Sequence, residues 1–223
     1  MRKFEFQTGE FYHIYNRGVD KRDVFGDEKD YVRFLRSMRE FNDLEPIGSL
    51  HIKKKLENQS GTRRGSTPCE GVEPLRKHLV EFICYCLNRN HYHFILKQLE
   101  NKGISEFMKR LSGGYTGYFN QKHKRSGSLF QGTYKAIHIK TDSYLLWLSG
   151  YINGNAEIHK ISKAENWIWG SYLDYAGKRG GTLCHKETIL SQFEDANEYK
   201  DLVSVIIKES GERKEELKKY LLE

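Results

Sequence analysis

Leu79-Val80-Glu81-Phe82-Ile83-Cys84-Tyr85-Cys86-Leu87, then Asn88-Arg89-Asn90, then His91-Tyr92-His93-Phe94-Ile95-Leu96-Lys97 is a pair of apolar, β-branched and aromatic runs split by turn chemistry. The pattern predicts two antiparallel strands joined by a tight turn. Side chains alternate along a strand, so Tyr92, Phe94 and Leu96 share one face while His91 and His93 share the other. The aromatic face is the one to bury, which leaves two imidazoles side by side on the more open surface. By the same alternation Cys84 and Cys86 share a face with Val80 and Phe82, an apolar setting that suits buried thiols.

Upstream, Phe11 to Val19 reads as a first strand ended by Arg17-Gly18. Asp27 to Asn42 carries Tyr31, Phe34, Leu35, Met38 and Phe41 at helical spacing. The pattern then breaks from Asp43 to Lys77, where all three prolines lie (Pro46, Pro68 and Pro74), and this segment reads as a long insertion. Downstream, Ile104 to about Gln121 reads as a helix interrupted by Gly113-Gly114, Leu129 to Ile139 as a strand, and Ser143 to Ile158 as a helix. Tyr199 to Leu222 reads as one or two amphipathic helices, and Trp167 and Trp169 are expected to pack the tail onto the domain.

The order strand, helix, strand, strand, helix, strand predicts an α+β, ferredoxin-like antiparallel sheet with helices on one face and an added helix. The expected organisation is a domain over residues 1–178, with an insertion at about 43–77, and a helical C-terminal extension over 179–223.

Charge points to a polyanion. The 223-residue chain has 37 Lys and Arg against 30 Asp and Glu, a formal net charge of +7. Most of that excess lies between Leu99 and Lys140, where Lys102, Lys109, Arg110, Lys122, Lys124, Arg125, Lys135 and Lys140 face only Glu100 and Glu106. Tyr115, Tyr118 and Phe119 are interleaved with these cations, a composition suited to tracking phosphates while stacking bases. No run approaches the roughly 18 apolar residues of a membrane span, and the Met1-Arg2-Lys3-Phe4-Glu5 start lacks a signal peptide's apolar core; a cytoplasmic protein with no membrane partner is expected. Cys69, Cys84, Cys86 and Cys184 have no Cys-x-x-Cys spacing, which argues against a zinc ribbon or a disulfide scaffold.

His91 and His93 so placed are suited to form half of a divalent-metal site, the other reading being incidental surface or satisfied core histidines. Tyr151-Ile152-Asn153-Gly154-Asn155 adds a phenol and a carboxamide four residues apart, hence on one face of a helix. If that helix lies over the open sheet face, Asn155 supplies a third, oxygen ligand and Tyr151 a nucleophile beside a Lewis acid. Tyr134 and Tyr144 are rival tyrosines, but His138 and Leu148 stand four residues after them in place of an amide.

The His-hydrophobe-His strand, the basic helix with Gly113-Gly114-Tyr115 and Tyr118-Phe119-Asn120, the Leu129-Phe130-Gln131-Gly132-Thr133-Tyr134-Lys135 run and Tyr151-x-x-x-Asn155 occur in that order. Over about Phe11 to Lys160 the chain resembles the REP-associated tyrosine transposases, single-tyrosine HUH transposases of the insertion-sequence-200 type. The resemblance implies a ferredoxin-like fold, with His91, His93 and Asn155 holding Mg²⁺ or Mn²⁺. It also implies that Tyr151 attacks single-stranded DNA next to a hairpin, leaving a 5′-phosphotyrosine and a free 3′-hydroxyl that allows rejoining.

Asn16, Arg17, Lys109, Arg110, Tyr115, Tyr118, Lys122, Lys124, Arg125 and Lys135 are then the expected DNA contacts, with the protein a monomer or homodimer. Family members usually run on to Asn-Pro, whereas here Gly154 precedes and Ala156 follows Asn155. Two other readings fit parts of the pattern: a non-catalytic binder of single-stranded nucleic acid, and a metal-dependent nuclease that uses water in place of Tyr151.

Overall fold

Four antiparallel strands stand in the order β2-β3-β1-β4: β1 is Phe11–Arg17, β2 Val80–Asn88, β3 His91–Gln98 and β4 Lys135–Ile139. The computed structural model describes residues 5–45 and 77–220. Most of the insertion expected at 43–77, with Cys69 and the three prolines, lies outside the described residues. With α1 (Glu28–Glu40) after β1 and α2 (Gly103–Lys122) after β3, the chain follows the ferredoxin-like path. Then come α3 (Asp142–Asn153), α4 (Asn155–Ile158), α5 (Tyr172–Tyr175), α6 (Glu187–Leu190) and α7 (Ala196–Tyr220).

One sheet face presents Tyr12, Ile14, Phe82, Tyr92, Phe94 and Leu96 to α1 and α2. Helix α1 starts where the Asp27 carboxylate accepts from the Asp30 N–H at 3.1 Å. It buries Tyr31, Phe34 and Met38, at helical spacing. The Phe34 ring meets those of Tyr115 (4.7 Å), Phe25 (5.1 Å) and Tyr92 (5.5 Å), at the centre of this core. Helix α2 runs unbroken through Gly113-Gly114, contrary to the interruption expected. A Cβ on Gly114 would stand 2.7 Å from the Phe41 ring, so this glycine admits the end of α1 and does not break the helix.

The expected strand from Leu129 to Ile139 is confined to Lys135–Ile139, because residues 129–134 form a loop against the end of β1, bridging Gly18 to Phe130. Trp167 and Trp169 do pack the tail: the indole N–H of Trp167 donates to Leu87 O at 3.2 Å, and Trp169 stacks on Tyr31 at 4.5 Å.

The cysteine strand departs from strict alternation. Phe82 pairs with Leu96 and Cys84 with Ile95, so Ile83 is an extra residue in β2, a β-bulge. Val80 and Phe82 therefore face the α1/α2 core, whereas Cys84 and Cys86 face the opposite way with Ile95 and Ile139. This corrects the expectation that all four share one face. That second face is covered by Leu145, Leu148 and Ile152 of α3 and by Tyr199 and Val203 of α7. Gly150 and Gly154 let the two helices nest: Cβ atoms there would stand 2.5 Å from Ile206 and 2.6 Å from Ile207. Asn153 Nδ2 donates to Tyr199 Oη at 2.7 Å, and Ser171 Oγ donates to Asn153 Oδ1 at 2.7 Å. Among the described residues no helix is long and apolar enough to cross a membrane.

A fully buried carboxylate ties α1 to α2. Asp30 accepts from Lys122 Nζ (2.7 Å), Tyr118 Oη (3.1 Å), the Gly26 N–H (2.9 Å) and His123 Nε2 (3.2 Å). Burial pushes this carboxyl up, but the bonds from Lys122, Gly26 and His123 outweigh it and hold the group below the usual carboxylate range. A depressed folded-state value means stability that is present above the unfolded value of about 3.9 and is lost as pH falls through the folded one. Asp30→Asn is expected to cost about 3 kcal/mol at neutral pH and to flatten the melting-temperature profile below about pH 4. Parallel acid profiles for the two proteins would show that Asp30 does not carry this dependence.

Candidate active site

On the α3 side of the sheet, β-pairing sets two rows of side chains. Tyr15 of β1 stands between His93 of β3 and Lys135 of β4, and His91 of β3 stands between Arg17 of β1 and Asn88 of β2. These strands and the end of α3 enclose a cleft of about 420 Å³ lined by His91, His93, Tyr15, Arg17, Lys135 and Tyr151, together with His159, Asn16, Asn90 and Gln131. The sheet thus brings His91, His93 and Tyr151, read separately from the sequence, into one cavity.

Helix α3 begins at Thr141, whose hydroxyl accepts from the Tyr144 N–H at 3.2 Å. It ends at Asn153, and Asn155 opens the separate one-turn α4, where one continuous helix to Ile158 was expected. Gly154 at the joint keeps near-helical angles (φ −84°, ψ −3°), so the four-residue spacing still aims Tyr151 and Asn155 at the same sheet face. The Tyr151 ring lies against Trp147 (5.4 Å, 12° between planes), and Trp147 lies against Tyr144 in turn (6.2 Å, 12°). It stands edge-on to His93 at 6.3 Å. Burial pushes the Tyr151 phenol above its usual value and a hydrogen bond with the Asn155 side chain opposes this, so at neutral pH the side chain carries its proton.

The histidines are held from behind. His91 Nδ1–H donates to Asn90 Oδ1 at 2.6 Å; since that oxygen can only accept, the lone pair of His91 is on Nε2. Nε2 stands 3.2 Å from Asn155 Oδ1, and Asn88 Nδ2 donates to both, at 3.0 Å and 2.6 Å. His93 Nδ1 is hydrogen-bonded to His13 Nε2 at 2.9 Å. Burial, then repulsion from His13, His91 and His159, holds His93 well below its usual pKa, and burial holds His13 at about 4. Both rings are neutral at pH 7, the form in which imidazole ligates metals.

Among the described residues no group of three or more His, Cys, Asp or Glu is placed to hold a metal ion. Asn155 is fully buried, and its Oδ1, the atom a carboxamide offers to a hard cation, stands 3.2 Å from His91 Nε2. Donors about 2.1 Å from an octahedral Mg²⁺ or Mn²⁺ and at right angles to each other stand about 3 Å apart, close to the observed separation of His91 Nε2 and Asn155 Oδ1.

The residues read as DNA contacts divide into three groups. Arg17 and Lys135 are exposed in the cleft, while Asn16 is buried beneath it, donating to Gly132 O at 3.2 Å and accepting from the Arg17 N–H at 2.9 Å. Lys109 and Lys124 are exposed, and Lys109 borders a second groove with Ser112, Thr116, Phe130 and Tyr134. The others are tied to protein: Arg110 to Glu106 and Asp43 O, Arg125 to Asn120 and Ser128 O, Lys122 to Asp27 and Asp30, and Tyr118 to Asp30.

Tyr115 is a correction. It is 0% exposed and its hydroxyl donates to Val24 O at 2.6 Å, so it is a core residue with no face for a base. His13, Asn88 and His159 were missed. His13 shares the strand face of Tyr15 and Arg17, a signal that becomes legible once β1 is known to lie beside β3.

Fold and site together place a histidine pair on an open sheet face with a tyrosine-bearing helix beside it. The model of the family described as "Transposase IS200 like" matches residues 72–155, from just before β2 through both histidines to Asn155, and it bears out the resemblance drawn from the sequence. The chain is also similar to a solved structure of a REP-associated tyrosine transposase bound to a REP hairpin, at 13% identity and a TM-score of 0.48, over 81% of this chain and 86% of that one. No curated protein matches it.

Proposed function

We propose that the protein cleaves and rejoins single-stranded DNA next to hairpins, with Tyr151 as nucleophile and with Mg²⁺ or Mn²⁺ held by His91, His93 and Asn155. The observation that carries this is the approach of His91 Nε2 and the buried Asn155 Oδ1 to 3.2 Å, with His91, neutral His93 and Tyr151 lining one cleft. A bound divalent cation supplies Lewis-acid polarisation of the scissile phosphate.

The chain's own residues do the rest. Arg17 and Lys135 draw the DNA backbone into the cleft and offset its charge. Trp147 and the edge of His93 restrict the ring of Tyr151, so its oxygen meets phosphorus with little reorientation. The Tyr151 oxygen bonds to phosphorus as the phosphorus–O3′ bond breaks; the phenol gives up its proton and the departing 3′-oxygen takes one. The product is a 5′-phosphotyrosine and a free 3′-hydroxyl. Attack by another 3′-hydroxyl reverses the step, so rejoining needs no nucleotide cofactor.

The test is incubation with end-labelled hairpin-bearing single-stranded DNA, in Mn²⁺, Mg²⁺ or EDTA, followed by a denaturing gel and mass mapping of the linked peptide. A metal-dependent adduct on the Tyr151 peptide is the expected result. Cleavage without an adduct would identify water as the nucleophile, an adduct on Tyr134 or Tyr144 would reassign it, and tight binding without cleavage would leave a binding module.

A further inference from the structure

His13 of β1 is 6% exposed and shares the strand face of Tyr15 and Arg17, the face that carries the cleft. Its Nε2 stands 2.9 Å from His93 Nδ1, with ring centroids 5.2 Å apart and planes 23° from parallel, so the two imidazoles meet edge to edge, nitrogen to nitrogen. The Tyr15 ring lies near-parallel to both, 4.8 Å from His13 and 5.6 Å from His93, and limits how far either can turn.

Both rings are neutral, so each carries one proton, and a bond between two ring nitrogens needs a proton on one and a lone pair on the other. Two arrangements meet that condition. If His13 donates, the proton of His93 is on Nε2, and that nitrogen cannot ligate a cation. If His93 donates from Nδ1, its Nε2 lone pair is left for a ligand in the cleft that His93 lines, and His13 carries its own proton on Nδ1. His13 Nδ1 is buried without a hydrogen-bond partner among the described residues, so an orphaned nitrogen burdens both arrangements and a cation on Nε2 decides between them.

We infer that His13 is a positioning residue for His93: it accepts the Nδ1 proton and holds the ring, so that His93 presents Nε2 as a metal ligand. The inference rests on the metal-site reading proposed above. A group that accepts from the second nitrogen of a ligating histidine fixes its tautomer and its orientation, and losing that group weakens metal binding by roughly 10–100-fold. Here that group is a second imidazole.

The experiment measures Mn²⁺ binding to the full-length protein without DNA, by electron paramagnetic resonance of the free ion, with circular dichroism to verify folding. Wild type, His93→Ala, His13→Phe and His13→Gln are compared. The phenyl ring of His13→Phe fills the space of the imidazole but cannot accept a proton, and this protein is expected to bind Mn²⁺ roughly 10–100-fold more weakly. The carboxamide oxygen of His13→Gln has about the reach of Nε2, so this protein is expected to bind near the wild-type level, a rescue that a residue acting only by packing would not show.

If His93→Ala loses Mn²⁺ while His13→Phe binds as wild type does, the role of His13 is overturned and the metal site stands. If His13→Phe and His13→Gln, both folded, are weakened alike, His13 acts by shape and the proposal is overturned. Should His93→Ala bind as wild type does, the metal-site reading fails and this inference fails with it. If His13→Phe does not fold, His13→Gln decides alone: a loss of about tenfold or more overturns the proposal.

Discussion

Tyr151→Phe is expected to form no covalent adduct with hairpin DNA and to cut the strand-transfer rate by roughly 10⁴-fold or more, the scale seen when a nucleophile is deleted from an otherwise intact site. The substitution removes one oxygen. The ring stays stacked on Trp147 and edge-on to His93, and His91, Asn155 and Asn88 keep their mutual contacts. DNA affinity is therefore expected to stay within about threefold of wild type, because uniform binding and transition-state chemistry are separable. A denaturing gel for the adduct and a filter-binding curve for affinity measure the two sides. Residual cleavage at more than a few per cent of the wild-type rate would mean that water or a neighbouring tyrosine does the attacking.

Phe34→Ala is expected to cost about 3–5 kcal/mol, the range for emptying an aromatic-sized volume in a packed core. Phe34 is fully buried on α1 and touches Phe25, Tyr92, Phe94 and Tyr115. Helices α1 and α2 and the centre of the sheet thus all contribute to the wall of the cavity it would leave. Neighbouring rings are stiff and collapse poorly into such a space. With total stability typically about 5–15 kcal/mol, the loss removes a large part of the margin. Urea denaturation followed by far-ultraviolet circular dichroism reads it directly, and a change below about 1 kcal/mol would mean that the core relaxes around the gap.

The β2–β3 pair, α1 and the tyrosine helix were legible because each has a strong period and an unambiguous turn or cap. What escaped has a tertiary cause. Gly113-Gly114 looks like a helix break, and only the arrival of Phe41 shows Gly114 to be a packing site. Residues 129–134 have strand composition, but they follow the end of β1 as a loop. The Ile83 bulge leaves no mark in the hydrophobic pattern, since the residues on both sides of it are apolar, yet it decides which way Cys84, Cys86 and Asn88 point. His91, His93 and Tyr151 were found from spacing because they lie on regular elements. His13 and Asn88 were not, because their importance depends on which strand lies beside which. Tyr115 was misassigned because an aromatic among cations suits a core as well as it suits a DNA surface.

The stacked rings of Tyr144, Trp147 and Tyr151 along α3 give the protein an optical reporter of its own chemistry. Trp147 is 39% exposed and in ring contact with the candidate nucleophile, while of the chain's other two tryptophans Trp167 donates to Leu87 O and Trp169 stacks on Tyr31. A phosphodiester attached to Tyr151 would set charge and a nucleotide against that indole, changing its emission as the bond forms. The covalent step can then be timed by stopped-flow fluorescence on unlabelled protein, with Trp147→Phe as the dark control.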